Sequence, residues 1–246
     1  MKKPLLYQLI LIFFFCNSIA YAQVFADKEH YLIDSLVLGE LSKIDKNLVD
    51  SCLSIYHESK EDSDRVYAIE VISEETWNLE LTYKYNSWLS EFIKKKLKEN
   101  PSLNTKFYLE EAFARTLSGF AYVYMQKGDV VNALKYFNEC LELQEKLGSN
   151  YDVAISLANI GYIYDAQGDF EKGIEYYEMA LKTQRELDNQ IGVATTLNNI
   201  GLSHYKLGNV DKGLDYFLQS LTIQEKIKNT DGMALCYNNI GGIYRK

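Results

Sequence analysis

Four alanines stand 40 residues apart, at Ala114, Ala154, Ala194 and Ala234. Shifting the chain on itself by that interval aligns more columns. Gly128, Gly168 and Gly208 form one, followed by Asp129, Asp169 and Asn209. Ala121, Gly161, Gly201 and Gly241 form another, and Leu141, Leu181 and Leu221 a third. A fixed period in this range means a stack of like units, each too small to bury its own apolar faces.

Each unit reads as two helices. In the second, Ala154, Leu157, Ile160, Gly161 and Tyr164 share one face at helical spacing. The "QGD" that follows is a stop and a start: Gly168 suits a positive φ, and Asp169 suits a cap. Gly173, Tyr177, Ala180 and Leu181 then form the inner face of the next helix. The small residues, Gly161 in one helix and Ala180 in the other, are expected to let the pair approach closely. Only 2 prolines interrupt 246 residues, which favours long helices. The expected fold is therefore all-α, a solenoid of helical hairpins.

These columns resemble the tetratricopeptide repeat. Its pattern W-x2-L-G-x2-Y, then A-x3-F, is similar to Leu157, Ile160, Gly161 and Tyr164 followed by Gly173 and Tyr177. The third unit has Leu197, Ile200, Gly201 and His204, then Gly213 and Phe217; the first has Leu117, Phe120, Ala121 and Tyr124, then Ala133 and Phe137. The period exceeds the family's usual ~34 residues, and the proline that often closes the second helix is missing. Both features resemble the long-helix subclass of kinesin light chains and bacterial signalling proteins.

The array is expected over residues 106–246, as three full units and the first helix of a fourth. Residues 23–105 keep no such register and read as divergent helical hairpins capping it. Leu36, Leu38 and Leu41 suggest one helix, Leu48 to Tyr56 a second, Val66 to Trp77 a third and Leu81 to Leu97 a fourth. Asn100-Pro101-Ser102 is the clearest break. The fourth unit's outer side is expected to fray, to associate with another copy, or to be covered by sequence absent from this chain.

Residues 1–22 read as a cleaved signal peptide. Lys2 and Lys3 precede an apolar run from Leu5 to Phe15, and Ala20 and Ala22 stand where signal peptidase needs small residues. The expected location is the periplasm. Removing this segment takes away two lysines and no acid, so a net charge of -8 becomes -10. That argues against nucleic acid and anionic membrane as partners. Nothing after residue 23 is apolar enough to insert in a membrane. Cys52, Cys140 and Cys236 are too scattered for a disulfide framework.

No motif for phosphate binding, dinucleotide binding or a nucleophile elbow occurs. His30, His57 and His204 show no metal-ligand spacing, so neither metal nor cofactor is expected. His204 stands where sister units have Tyr124, Tyr164 and Tyr244, and reads as a packing ring. Cys140, aligned with Ala180 and Ser220, reads as a small buried residue, and so does Cys236. Tyr136, Tyr176 and Tyr216 read as packing between stacked hairpins. No acid stands out by apolar surroundings. An enzyme would need a site in residues 23–105, where no acid/base constellation is visible.

The recurrent "NNIG" sets out a different face. Thr195, Asn199, Leu202 and Lys206 lie together, as do Ile155, Asn159, Tyr162 and Ala166. The resemblance implies that this first helix lines a concave groove, where asparagines hold a bound peptide's backbone. Asn159, Asn199 and Asn239 would be the ladder, flanked by Asn198 and Asn238, with Tyr122, Tyr162 and Tyr205 as aromatic contacts and Lys206 at the edge. An amide offers donor and acceptor together, matching a peptide group without reading its side chain. The alternative is that these asparagines bond only to the neighbouring helix. The implied function is a non-catalytic scaffold for a protein or peptide segment. The whole chain also resembles the periplasmic N-terminal part of bacterial signal transducers; a free periplasmic adaptor or a truncated gene product is the alternative.

Overall fold

Helix breakers and caps divide the chain where the sequence places them. The structure, a computed structural model, describes residues 27–33 and 36–245. The expected signal peptide lies outside these residues. Eleven α-helices and one short 3-10 turn are found among the described residues. Two compact units form, Met1–Trp88 and Leu89–Lys246. The expected boundary at 105/106 falls later, just inside the first helix after the Pro101 break.

The first unit contains α1 (Lys28–Tyr31), the 3-10 turn Leu38–Glu40, α2 (Lys43–Glu58), α3 (Asp62–Glu75) and the start of α4 (Leu79–Lys98). The helix expected around Leu36, Leu38 and Leu41 does not form. Backbone at Val37 and Leu41 is extended, and Ser42 caps α2 by accepting from the Asp45 amide at 3.0 Å. The third helix starts earlier than expected and ends at Glu75, because Thr76 is extended and its hydroxyl donates to Asp45 at 2.6 Å. Trp77 is 95% exposed in the connection. Tyr85 is fully buried and donates to the Tyr31 carbonyl at 3.2 Å, while Tyr31 donates to Asp50 at 2.9 Å.

The second unit holds the remaining turns of α4 and the repeat array: α5 (Leu103–Gln126), α6 (Val130–Leu147), α7 (Asn150–Gln167), α8 (Phe170–Glu186), α9 (Gln190–Lys206), α10 (Val210–Lys226) and α11 (Thr230–Tyr244). Within hairpins the turn is the same each time. Gly128, Gly168 and Gly208 hold φ values of 73, 83 and 81°, a region that L side chains avoid. Asp129 and Asp169 then cap the next helix, accepting from Asn132 and Lys172 amides at 3.1 and 3.2 Å.

The hairpins are held at their closest by glycine. A Cβ on Gly161 would stand 2.9 Å from the Tyr177 ring and 3.0 Å from the Gly173 carbonyl. On Gly201 it would stand 2.9 Å from Phe217 and 3.0 Å from the Gly213 carbonyl. So the close approach pairs Gly161 with Gly173, not with Ala180. Ala180 lies farther along α8, buried against Val153 and Leu157. The register tyrosines stack ring on ring within each hairpin and also border the apolar clusters that successive hairpins share, as Tyr176 and Tyr216 do. Tyr124 lies on Tyr136 at 5.5 Å, Tyr164 on Tyr176 at 5.4 Å, and His204 takes the same seat on Tyr216 at 5.4 Å.

A column that sequence reading passed over joins one hairpin to the next. Gln144, Gln184 and Gln224 are all at least nine-tenths buried. Gln144 accepts from the Ser156 hydroxyl at 2.8 Å, and Gln184 and Gln224 pack on Gly192 and Gly232 at the start of the following helix. Cys140 and Ser220 donate to the Ala114 and Ala194 carbonyls at 3.1 and 2.7 Å. Burial pushes the Cys140 thiol up to about 11, which suits an inert packing role.

Candidate functional site

First helices of successive units meet: α7 touches α9, and α9 touches α11. Each second helix packs between its own first helix and the next one. First helices therefore line the inner curve of the array. Their free face carries the columns Arg115, Ile155, Thr195 and Leu235; Gly119, Asn159, Asn199 and Asn239; and Tyr122, Tyr162, Leu202 and Gly242.

The asparagines divide by geometry. Asn159 and Asn199 are half-buried on this face, and among the described residues their side-chain amides have no hydrogen-bond partner. The Asn239 side-chain amide donates to the Asn198 side-chain oxygen, Oδ1, at 2.9 Å. That bond joins α11 to α9, so one rung bonds to the neighbouring helix, as in the alternative reading. Asn198 is 4% exposed and points into the joint. Asn238 is exposed, but on the outer side of α11. Neither Asn198 nor Asn238 belongs to the inner face.

Tyr122 and Tyr162 are 47% and 54% exposed and stand on the inner face. Tyr205 does not join them. It is half-buried with its Cβ against Gly213 and aligns with Asp165 rather than Tyr162. Lys206 is exposed at the edge. Exposed rings are distributed unevenly across the array. Phe107, Tyr122, Tyr151, Tyr162, Tyr237 and Tyr244 are all on first helices, and among the described residues no second helix exposes an aromatic ring.

Two polar features escaped the sequence reading. Asp165 is half-buried against Gly173 and accepts from Ser203 at 2.7 Å, tying α7 to α9. Burial raises its carboxyl above the ordinary range, against the opposing pull of hydrogen bonds from Ser203 and Tyr177. The same burial, with the Asp165 charge beside it, raises the Tyr177 hydroxyl. On the outer side, α8 and α10 flank a groove of about 1030 Å³ over His204. Its walls mix Glu178, Asp211 and Asp215 with Lys182, Arg185 and Lys212. Both charge signs alternate there, as on a solvated face.

In the first unit, His30 and His57 stack at 5.2 Å, and the His57 Nε2 lies 2.8 Å from the His30 carbonyl oxygen. No group of three or more His, Cys, Asp or Glu side chains fit to hold a metal occurs among the described residues. Nor is any helix there long and apolar enough to cross a membrane.

The profile of the tetratricopeptide repeat matches residues 112–186 and 192–246, more than half of the chain. No curated protein matches in sequence. Similar solved structures include BtubC from P. vanneervenii, at 18% identity and TM-score 0.58, covering 83% of this chain and 84% of that one. Aspartyl phosphate phosphatase F from Bacillus subtilis is 17% identical with TM-score 0.67, over 81% of this chain and 53% of that one. A Rap protein complexed with competence and sporulation factor is 15% identical with TM-score 0.54, over 81% and 60%. This chain thus spans little more than half the length of the latter two. At these identities the likeness is one of fold.

Proposed function

The chain belongs to the tetratricopeptide repeat family, and on that premise we propose that it is a non-catalytic scaffold whose inner face holds a protein or peptide segment. The observation that carries this is the exposure of Tyr122 and Tyr162 on the inner face of α5 and α7, beside the unpartnered amides of Asn159 and Asn199. Aromatic rings supply contact area at little entropic cost. The amides supply paired donors and acceptors for a backbone. Tyr122, Ile155 and Tyr162 would seat side chains, and Lys206 would favour an acidic group at one edge. The Rap protein complexed with a factor supports the reading, since a similar fold there holds a partner.

The setting belongs to the same proposal. Lys2 and Lys3, the apolar run and the Ala20 and Ala22 positions support export to the periplasm with cleavage after Ala22. There the array would serve as the sensor or adaptor part of a bacterial signalling system. Mass spectrometry of the protein from a periplasmic fraction tests this: the expected N-terminus is Gln23.

The groove itself is tested with peptides selected from a random library on the purified chain. Asn159→Ala with Asn199→Ala should weaken their binding about tenfold or more, with far-UV helicity unchanged. Selected peptides indifferent to this pair and to Tyr162→Ala would defeat the groove reading.

A further inference from the structure

Each first helix turns a fixed set of positions to the inner curve, and on two of these helices the set is free of acid. On α7 it is Tyr151, Ile155, Asn159, Tyr162 and Ala166. On α9 it is Ile191, Thr195, Asn199, Leu202 and Lys206. Steps of four, four, three and four keep each set on one narrow face. The chain holds 34 acids, yet none stands in either set, and the one cation, Lys206, takes the last position. α5 differs: Glu111 and Arg115 occupy the first two positions, and Tyr122 the fourth.

The two sets make a floor and two walls. Asn159 and Asn199 are the floor, half-buried, with side-chain amides unpartnered among the described residues. Tyr151, Ile155 and Ile191 flank them towards the N-terminal ends of the helices, and Tyr122, Tyr162 and Leu202 towards the C-terminal ends. Tyr151 is 56% exposed and Ile191 60%, and Ile155 and Tyr162 are exposed as well. Leu157 and Leu197, on the opposite face of the same helices, are buried. Apolar side chains gathered in water in this way mark a place for a partner.

On the premise of the groove, we propose that it selects an extended, uncharged run of apolar residues. Tyr151, Ile155 and Ile191 read one set of its side chains, and Tyr122, Tyr162 and Leu202 read the other. The amides require the extended form. A helix has already bonded its own peptide groups, so only an extended backbone offers Asn159 and Asn199 a free N–H and C=O. With one edge of the segment on the amides, its successive side chains point to opposite walls. Both walls are apolar, so neighbouring residues of the segment must be apolar together. The lack of charge in the walls sets the second condition. A Lys, Arg, Asp or Glu set among them would lose water and gain no counter-ion. Lys206 lies past Leu202 at the end of its set, so an acidic group is accepted beside the run and not within it.

The experiment pans a library of random peptides on the whole chain, then measures binding of the selected peptides by fluorescence anisotropy. The selected sequences are expected to share a run of uncharged apolar residues, and their affinity should hold from low to high salt. Methylating the backbone nitrogens within the run should weaken binding. Ile155→Lys with Ile191→Lys, at side chains already in water, should weaken it about tenfold or more. Thr195→Glu should do the same, and far-UV helicity should be unchanged in both. Selected peptides that are rich in charge, salt-sensitive, or indifferent to these variants overturn the proposal. If such peptides still weaken with Asn159→Ala and Asn199→Ala, the groove stands and only its selectivity is wrong. Indifference to the asparagine pair as well, or no selected peptide at all, defeats the groove and this selectivity with it.

Discussion

Asp165 makes the stability of the array depend on pH. Burial holds its carboxyl above the ordinary 3.8, and the hydrogen bonds from Ser203 and Tyr177 lower it without cancelling that effect. The folded state therefore binds this proton more readily than the unfolded chain. Ionisation subtracts stability fully above the folded value, and the cost disappears as pH falls towards 3.8. Asp165→Asn is expected to raise the melting temperature at pH 7, with the gain shrinking towards pH 4. Thermal melts at the two pH values check this; a lower melting temperature for the variant at pH 7 would show that the Ser203 bond outweighs burial. In sequence Asp165 is one acid among 34, and its sisters are Met125 and Tyr205. Nothing local marks it, because its surroundings come from α8 and α9. The "NNIG" pair shows the same limit. Adjacent helix residues point about 100° apart, so Asn199 is half-buried on the inner face while Asn198 is buried in the joint.

At the level of the helical pair, one column provides its own control. Gly161 is enclosed by Tyr177 and the Gly173 backbone, and Gly241 is open. Leucine should therefore have opposite effects at the two sites. Gly161→Leu forces apart a crossing with no slack and should cost about 1–3 kcal/mol or more. Gly241→Leu meets no neighbour and replaces a poor helix former, so stability should hold or rise by up to about 1 kcal/mol. Denaturant unfolding of the two variants measures the difference. Equal midpoints would mean that the helices do not pair through this column. The existence of each array helix, its turn glycine and its cap were legible from the 40-residue alignment. The glycine's partner was not, because the small residues on α8 include both Gly173 and Ala180, and their order along the crossing depends on which ends of the helices meet.

Across the whole molecule, equivalent first helices are not equally covered. α9 is packed by α7, α8, α10 and α11, whereas among the described residues α11 packs chiefly on α10 and more lightly on α9. Hydrogen exchange should accordingly be faster over residues 232–244 than over residues 192–204, the same helix one unit earlier. Mass spectrometry of the exchanged, proteolysed chain reads both segments in one sample. Equal protection in a monomeric sample would show that α11 needs no further cover.

By itself the sequence determined the fold class, the period, the turn positions and the array's membership of its family. These follow from short-range spacing: which residues share a helix face, where glycine allows a turn, and where a side-chain oxygen reaches a free amide. It also put Asn159, Asn199, Tyr122 and Tyr162 on one face of the first helices, which helical phase alone sets. Only the tertiary structure decided which polar groups are shut in. The Gln144, Gln184 and Gln224 joint, the Asp165–Ser203 bond and the Asn239–Asn198 bond all link residues on different helices. It also decided that Tyr205 is spent on packing, and that the turns around Leu38 and Thr76 end helices that their apolar spacing would have continued. Burial and hydrogen bonding between helices depend on which neighbour arrives and at what distance, and a helical phase read along one chain contains neither.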